Sequence, residues 1–187
     1  MGAFLPKAAP MKLHLGCGKR HIPGFVHIDA VEYPHVDHVA TIDNLGFIGS
    51  GTVDLIYNCH VLEHFRRKDV GRVLQEWCRV LKPGGILRVS VPDFARLAEV
   101  YQRSGDINLV LGPIFGRQDY LYNIHYNVFD EKSLTRLLLD NGFAAVRRYD
   151  WRETEHAHID DYAQAYIPHM DRENGTLISL NVEASKA

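Results

Sequence analysis

Gly16-Cys17-Gly18 closes one short apolar run, and Asp29, thirteen positions after Gly16, closes the next. Glycines at a strand end let a ligand lie against the backbone, and the N–H groups of the turn can hold an anionic group. An aspartate at the neighbouring strand end can accept both hydroxyl hydrogens of a ribose. Alone, this pairing reads first as a tight turn plus a surface acid. A dinucleotide fingerprint is disfavoured, since it wants a third glycine where this chain has His21 and an acid about 20 residues on.

A second cluster is His60-Val61-Leu62-Glu63-His64. It spells H-x-x-E-H, in which two histidines on one helical face ligate zinc and the glutamate is the base. The run directly follows an apolar strand and no third ligand is placed by sequence, so no metal is expected. Zinc hydrolysis is the lesser alternative, and Glu63 and His64 are read as fixing a turn. Further on, "FGRQDYLYNIHYNVF" at 115–129 carries Tyr120, Tyr122, His125 and Tyr126. Their polar tips on apolar bodies suit the orientation of a small polar acceptor. A polar stretch at 151–170 follows, and its His156 and His158 are read as a solvated pair.

These residues need elements to position them. Short strands are expected at 12–16, 25–29, 36–42 and 52–58, the last apolar enough to be buried on both faces. Val70, Val73, Leu74, Trp77, Val80 and Leu81 form one helical stripe, which "KPGG" at 82–85 should end. A fifth strand follows at 86–91, then a helix capped by Asp93 and stopped near Gly105. Residues 106–127 show no clean period. Asp130 caps another helix that ends at Gly142, and strands are expected at 143–151 and 176–182. Strand–helix alternation predicts a mostly parallel sheet covered on both faces, with ligands beyond the carboxyl ends of its strands. Gly16–Gly18, Asp29, Asp43, Asn58–His64 and Asp93 all fall on that edge.

With 187 residues, 46% hydrophobic and 24% charged, the chain reads as one soluble domain over 11–187 behind a tail at 1–10. A formal net charge of −2 offers no electrostatic footprint for nucleic acid, and no stretch approaches the length of a membrane helix. Cys17, Cys59 and Cys78 lack C-x-x-C spacing and read as free thiols in a reducing, cytoplasmic setting.

The motifs in order, "LHLGCG…HIDA", "TIDNL", "VDLIYNCHVLEHF" and "VLKPGGILRVSVPD", resemble the class I S-adenosylmethionine (SAM)-dependent methyltransferases, nearest to small bacterial members with a G-C-G first motif. The resemblance runs from Lys12 to Val182. It implies a three-layer α-β-α sandwich with a seven-stranded, mostly parallel Rossmann-like sheet, its last strand antiparallel. It implies SAM as cofactor and S-adenosylhomocysteine as product. Gly16, Cys17 and Gly18 would lie under the methionine part, Asp29 would hold the ribose, and Asp43 the adenine amino group. Asn44 and Leu45 would add backbone or apolar contact, and His60 would sit beside the sulfonium. The loop at 115–129 is where such proteins cover the acceptor. One departure is visible: "KRHIPGFVHI" between Gly18 and Asp29 is too short for the usual first helix. Lys19 or Arg20 could then supply the positive charge that the helix dipole would have provided.

Methyl transfer from a sulfonium needs alignment and exclusion of water. A hydroxyl acceptor also needs a base, for which His125 is the first candidate and His60 the second. The expectation is O-methylation of a small polar or sugar-like molecule. The alternative is a SAM-binding domain without transfer activity, serving as the partner of another enzyme.

Overall fold

The computed structural model describes residues 9–187, so residues 1–8 of the expected tail lie outside the described residues. Seven strands form one sheet: β1 (Lys12–Leu15), β2 (Val26–Asp29), β3 (His38–Val39), β4 (Val53–Cys59), β5 (Leu81–Pro92), β6 (Phe143–Arg148) and β9 (Ser179–Lys186). Their spatial order is β3-β2-β1-β4-β5-β9-β6. All neighbours from β3 to β5 are parallel, and β9 runs antiparallel to both β5 and β6. The expected Rossmann-like, seven-stranded sheet with an antiparallel last strand is present. Two further short strands, β7 (Tyr166–Ile167) and β8 (Thr176–Leu177), make a separate hairpin.

The order reverses at β1, which has β2 on one side and β4 on the other. A crevice opens at such a reversal, beyond the carboxyl ends of the two strands. Gly16 follows β1 and His60 follows β4, so both site clusters meet there.

Helix α1 (Val70–Val80) buries Val70, Val73, Leu74, Trp77 and Val80, the face that the sequence period marks. Trp77 Nε1 donates to the Ile42 carbonyl over 2.8 Å, so even its polar atom is satisfied in the core. Asp93 caps α2 (Phe94–Ser104) by accepting from the N–H groups of Ala95 and Arg96, and Gly105 ends it in the left-handed region. Asp130 and Ser133 form a capping box on α4 (Glu131–Asp140), with Leu134 and Leu138 inward.

Four expectations are corrected. "KPGG" does not stand apart as a turn: β5 already starts at Leu81, and the extra residues are absorbed by a register shift between Val53 and Leu55. The third strand shrinks to His38–Val39. The last strand splits, since Thr176–Leu177 pairs with β7 and only Ser179 onward joins the sheet. Residues 106–127 hold an unforeseen helix, α3 (Asn108–Phe115). It is apolar nearly all round and buries only Val110, so no one-sided period announced it.

Between Gly18 and Asp29 there is no helix, only turns closed by Arg20 N–H on Cys17 and Phe25 N–H on Ile22. The three cysteines are free thiols. Among the described residues no helix is long and apolar enough to cross a membrane.

Candidate active site

Gly16 and Gly18 both have positive φ, +65° and +52°, which L side chains rarely adopt. A Cβ on Gly16 would lie 2.6 Å from a Val61 methyl, whereas one on Gly18 would project into open space. The turn is held by Asp29. Its Oδ2 accepts from Gly18 N–H over 2.7 Å and its Oδ1 from Val31 N–H over 2.8 Å. Each oxygen keeps a further lone pair. Open space over a glycine, beside a largely buried carboxylate with acceptor capacity left, fits the methionine and ribose parts of SAM. Cys17 can offer a ligand its backbone alone, because its side chain is buried and burial pushes the thiol up to about 12.

The adenine end is less open than the sequence suggests. The Asp43 carboxylate is paired with Arg72 at 2.8 Å, which helps hold it below the usual carboxylate range despite partial burial. The Asn44 side-chain oxygen accepts from Gly46 N–H. Leu45 is fully buried in the core, and its N–H is taken by Glu76 Oε1 at 2.7 Å. Leu45 therefore has neither side chain nor N–H free for adenine, since the core takes the one and Glu76 of α1 the other.

At the other lip, β4 ends at Cys59 and His60 takes φ +53°, a strained setting for a non-glycine residue. A 3-10 turn, Leu62–His64, follows. This turn carries Glu63 into the interior with no exposed surface, and neither carboxylate oxygen accepts a hydrogen bond from another described residue. His60 Nδ1 lies 3.5 Å and His125 Nε2 4.0 Å from Glu63 Oε1. Burial drives all these groups toward their neutral forms. It raises Glu63 to about 8, and it lowers His60 to about 3 and His125 to about 4, with neighbouring imidazoles adding to both histidine shifts.

The loop after α3 folds back onto this turn. Tyr126 N–H donates to the Glu63 carbonyl, His125 N–H to Phe115, and His125 Nδ1 lies 2.9 Å from the Pro113 carbonyl. Gly116, at φ +73°, makes that return possible: a Cβ there would strike the Asn123 carbonyl oxygen at 2.4 Å. Burial raises the Tyr120 phenol, with Tyr33, Asp29, Asp119 and Tyr162 adding to the shift, although the residue is half-exposed. Tyr122 and Tyr126 are exposed, and Tyr126 faces the Arg66 guanidinium. Of the four expected acceptor residues, His125 lies against Glu63, whereas the three tyrosines are exposed.

The second loop also leans inward. Arg20 Nε donates to the Asp160 carbonyl, its guanidinium lies over Tyr162, and Tyr162 packs on His60. Arg20 is therefore spent on the loop. His156 corrects another expectation: it is buried against the Tyr57 and Phe25 rings, not solvated. Sequence reasoning missed Ser179, whose Oγ lies 3.1 Å from His60 Nε2, and Tyr162. Neither carries a motif. It also missed that Glu63 and His125 face one another, although the odd acid in "HVLEH" was the available signal.

Residues 13–89 match a family described as a methyltransferase domain. No curated protein matches in sequence. Solved structures share the fold. A SAM-dependent methyltransferase from Archaeoglobus fulgidus is 15% identical with a TM-score of 0.60, over 96% of this chain and 87% of that one. The 1,6-didemethyltoxoflavin-N1-methyltransferase of Burkholderia thailandensis, solved with S-adenosylhomocysteine, is 18% identical with a TM-score of 0.57, over 95% and 72% of the two chains. A Haloferax volcanii structure that pairs a methyltransferase with its Trm112 activator is 14% identical with a TM-score of 0.56, over 95% and 82%.

Proposed function

We propose, from the premise that this chain carries a class I SAM-dependent methyltransferase domain, that it methylates an oxygen of a small polar or sugar-like acceptor. The observation that carries the acceptor reading is the return of the 116–127 loop onto Glu63, which brings His125 Nε2 to 4.0 Å from the Glu63 carboxylate.

When bound, SAM supplies a methyl carbon already activated by its positive sulfur. The chain aligns and shields. The backbone of Gly16, Cys17 and Gly18 carries the methionine part, the spare lone pairs of Asp29 take the ribose hydroxyls, and Asp43 with Asn44 borders the adenine. His60 stands at the carboxyl end of β4, beside the reacting centre. The loop carries Tyr120, Tyr122 and Tyr126, whose exposed hydroxyls suit a hydroxyl-bearing ligand, and the chain has no basic stripe to neutralise phosphates. His125 is the first candidate base. Its Nδ1 is engaged by Pro113, so Nε2 is the proton-accepting atom, and Glu63 across 4.0 Å is placed to hold the imidazolium. His60, anchored by Ser179, is the second. Three free thiols suit a cytoplasmic setting.

Calorimetric titration with SAM and with S-adenosylhomocysteine tests the donor, and labelled SAM offered with pooled metabolites tests the acceptor. Micromolar binding and a labelled methyl ether of a small hydroxyl compound are the expected results. Absence of binding by both nucleosides at millimolar concentration defeats the reading.

A further inference from the structure

Glu63 is fully buried, with both oxygens lacking a hydrogen bond from any other described residue. An unpaired buried carboxyl group is costly, and native structures almost always give it a partner. Its neighbours offer lone pairs as readily as protons. His125 Nδ1 is placed to donate to the Pro113 carbonyl over 2.9 Å, which leaves Nε2 as a bare acceptor 4.0 Å from Glu63 Oε1. His64 has Nδ1 3.1 Å from the Ile124 carbonyl and Nε2 3.1 Å from the His60 carbonyl. A neutral imidazole can donate to only one of them. With Glu63 ionised, acceptors therefore confront acceptors at this point, and a cation between them, a proton on Glu63 or a metal ion, resolves the conflict.

We propose that Glu63, His64 and His125 bind one divalent transition-metal ion of the zinc type. One ligand atom from each lies within 4.8 Å of the others, so small side-chain rotations bring all three to the 2.0–2.2 Å bonds of zinc. Two imidazoles and one carboxylate favour zinc over magnesium or calcium, which prefer all-oxygen sets. The outer contacts are those of a metal site: the Pro113 carbonyl fixes the His125 tautomer, and the Ile124 or His60 carbonyl fixes that of His64. Three protein ligands leave a fourth position open. This is not the peptidase arrangement, in which both histidines of H-x-x-E-H ligate and the glutamate stays outside. Here Glu63 is itself a ligand, and His60 stands beside it at 3.5 Å. On the oxygen-acceptor reading, the ion would bind the acceptor hydroxyl and lower its pKa in place of a histidine base. That role rests on the proposed function, whereas the binding does not.

The test uses chelator-treated protein titrated with Co²⁺ alone and then Zn²⁺, without SAM. The expected result is one Co²⁺ per chain, with the visible bands of a four-coordinate ion, displaced by Zn²⁺. Glu63→Gln and His125→Ala should each weaken binding by about 100-fold or more. His35→Ala, in the separate imidazole group of His21, His27 and His35, should leave it unchanged. Circular dichroism checks that each variant folds, and either Glu63→Gln or His125→Ala suffices if the other does not. No stoichiometric uptake overturns the proposal, as does uptake that survives the folded variants or is lost in His35→Ala. SAM titration of the same samples keeps the donor reading separate.

Discussion

Gly18 and Asp29 are joined by a 2.7 Å hydrogen bond from the glycine N–H to the carboxylate, so the acid proposed for the ribose also closes the turn proposed for the methionine part. One side chain thus bears on both halves of the proposed donor site. Asp29→Ala removes charge-assisted bonds worth on the order of 1.5–3 kcal/mol, and SAM affinity should fall about 10- to 100-fold by calorimetry. Asp29→Asn should fare little better, because its amide can offer an oxygen to only one of Gly18 and Val31. A variant that binds SAM as tightly as the parent would remove Asp29 from the site.

Gly16→Ala and Gly18→Ala should separate stability from binding. Both impose a left-handed backbone that costs roughly 1–2 kcal/mol. At Gly16 the new methyl also meets Val61 at 2.6 Å, so the melting temperature should drop further there. At Gly18 it meets nothing within 4 Å, so the protein should stay folded while SAM binding suffers. Melting curves with and without SAM distinguish the two.

His125→Ala should lower turnover roughly 10²–10⁴-fold with SAM affinity nearly unchanged, as expected for loss of the group that activates the acceptor. Full turnover would clear His125 and direct attention to His60.

Acid should weaken the fold well above the carboxylate range. Burial, with Arg88, His158 and Lys12 nearby and only Glu155 opposing, lowers His156 to about 4. The unfolded chain then binds a proton that the folded chain refuses, so the stabilisation is complete above about pH 6.5 and fades as pH falls toward 4. The shift sets an upper limit of about 3 kcal/mol. His156→Phe, which keeps a ring against Tyr57, should flatten the melting temperature between pH 6.5 and 4. An unchanged slope would assign the effect to other buried histidines.

Much of the sheet was legible because its signals are local. The apolar runs of β1, β2, β4 and β5, the α1 stripe and the Asp93 and Asp130 caps each lie within a few residues of what they specify. Alternation then fixes the topology by general rules. The glycine edge was legible for the same reason. What escaped was non-local or aperiodic. Leu45 read as a pocket residue because nothing nearby shows that Glu76, 31 positions on, takes its N–H. His156 read as solvated because its burial depends on Phe25 and Tyr57. The meeting of Glu63 with His125 is created by the return of the chain after Gly116, which no spacing rule anticipates.

The place of β9 sets a timetable for the molecule. Residues 179–186 fill the gap between β5 and β6, and among the described residues β6 has no other partner in the sheet. During synthesis the half from β3 to β5 can assemble early, while β6 stays unpaired and β5 keeps an open edge until β9 arrives. Ser179, at the head of that late strand, is also the hydrogen-bond partner of His60. The candidate site is therefore among the last parts of the chain to be completed, and a nascent chain that stalls before residue 179 carries the glycine turn without the partner of His60.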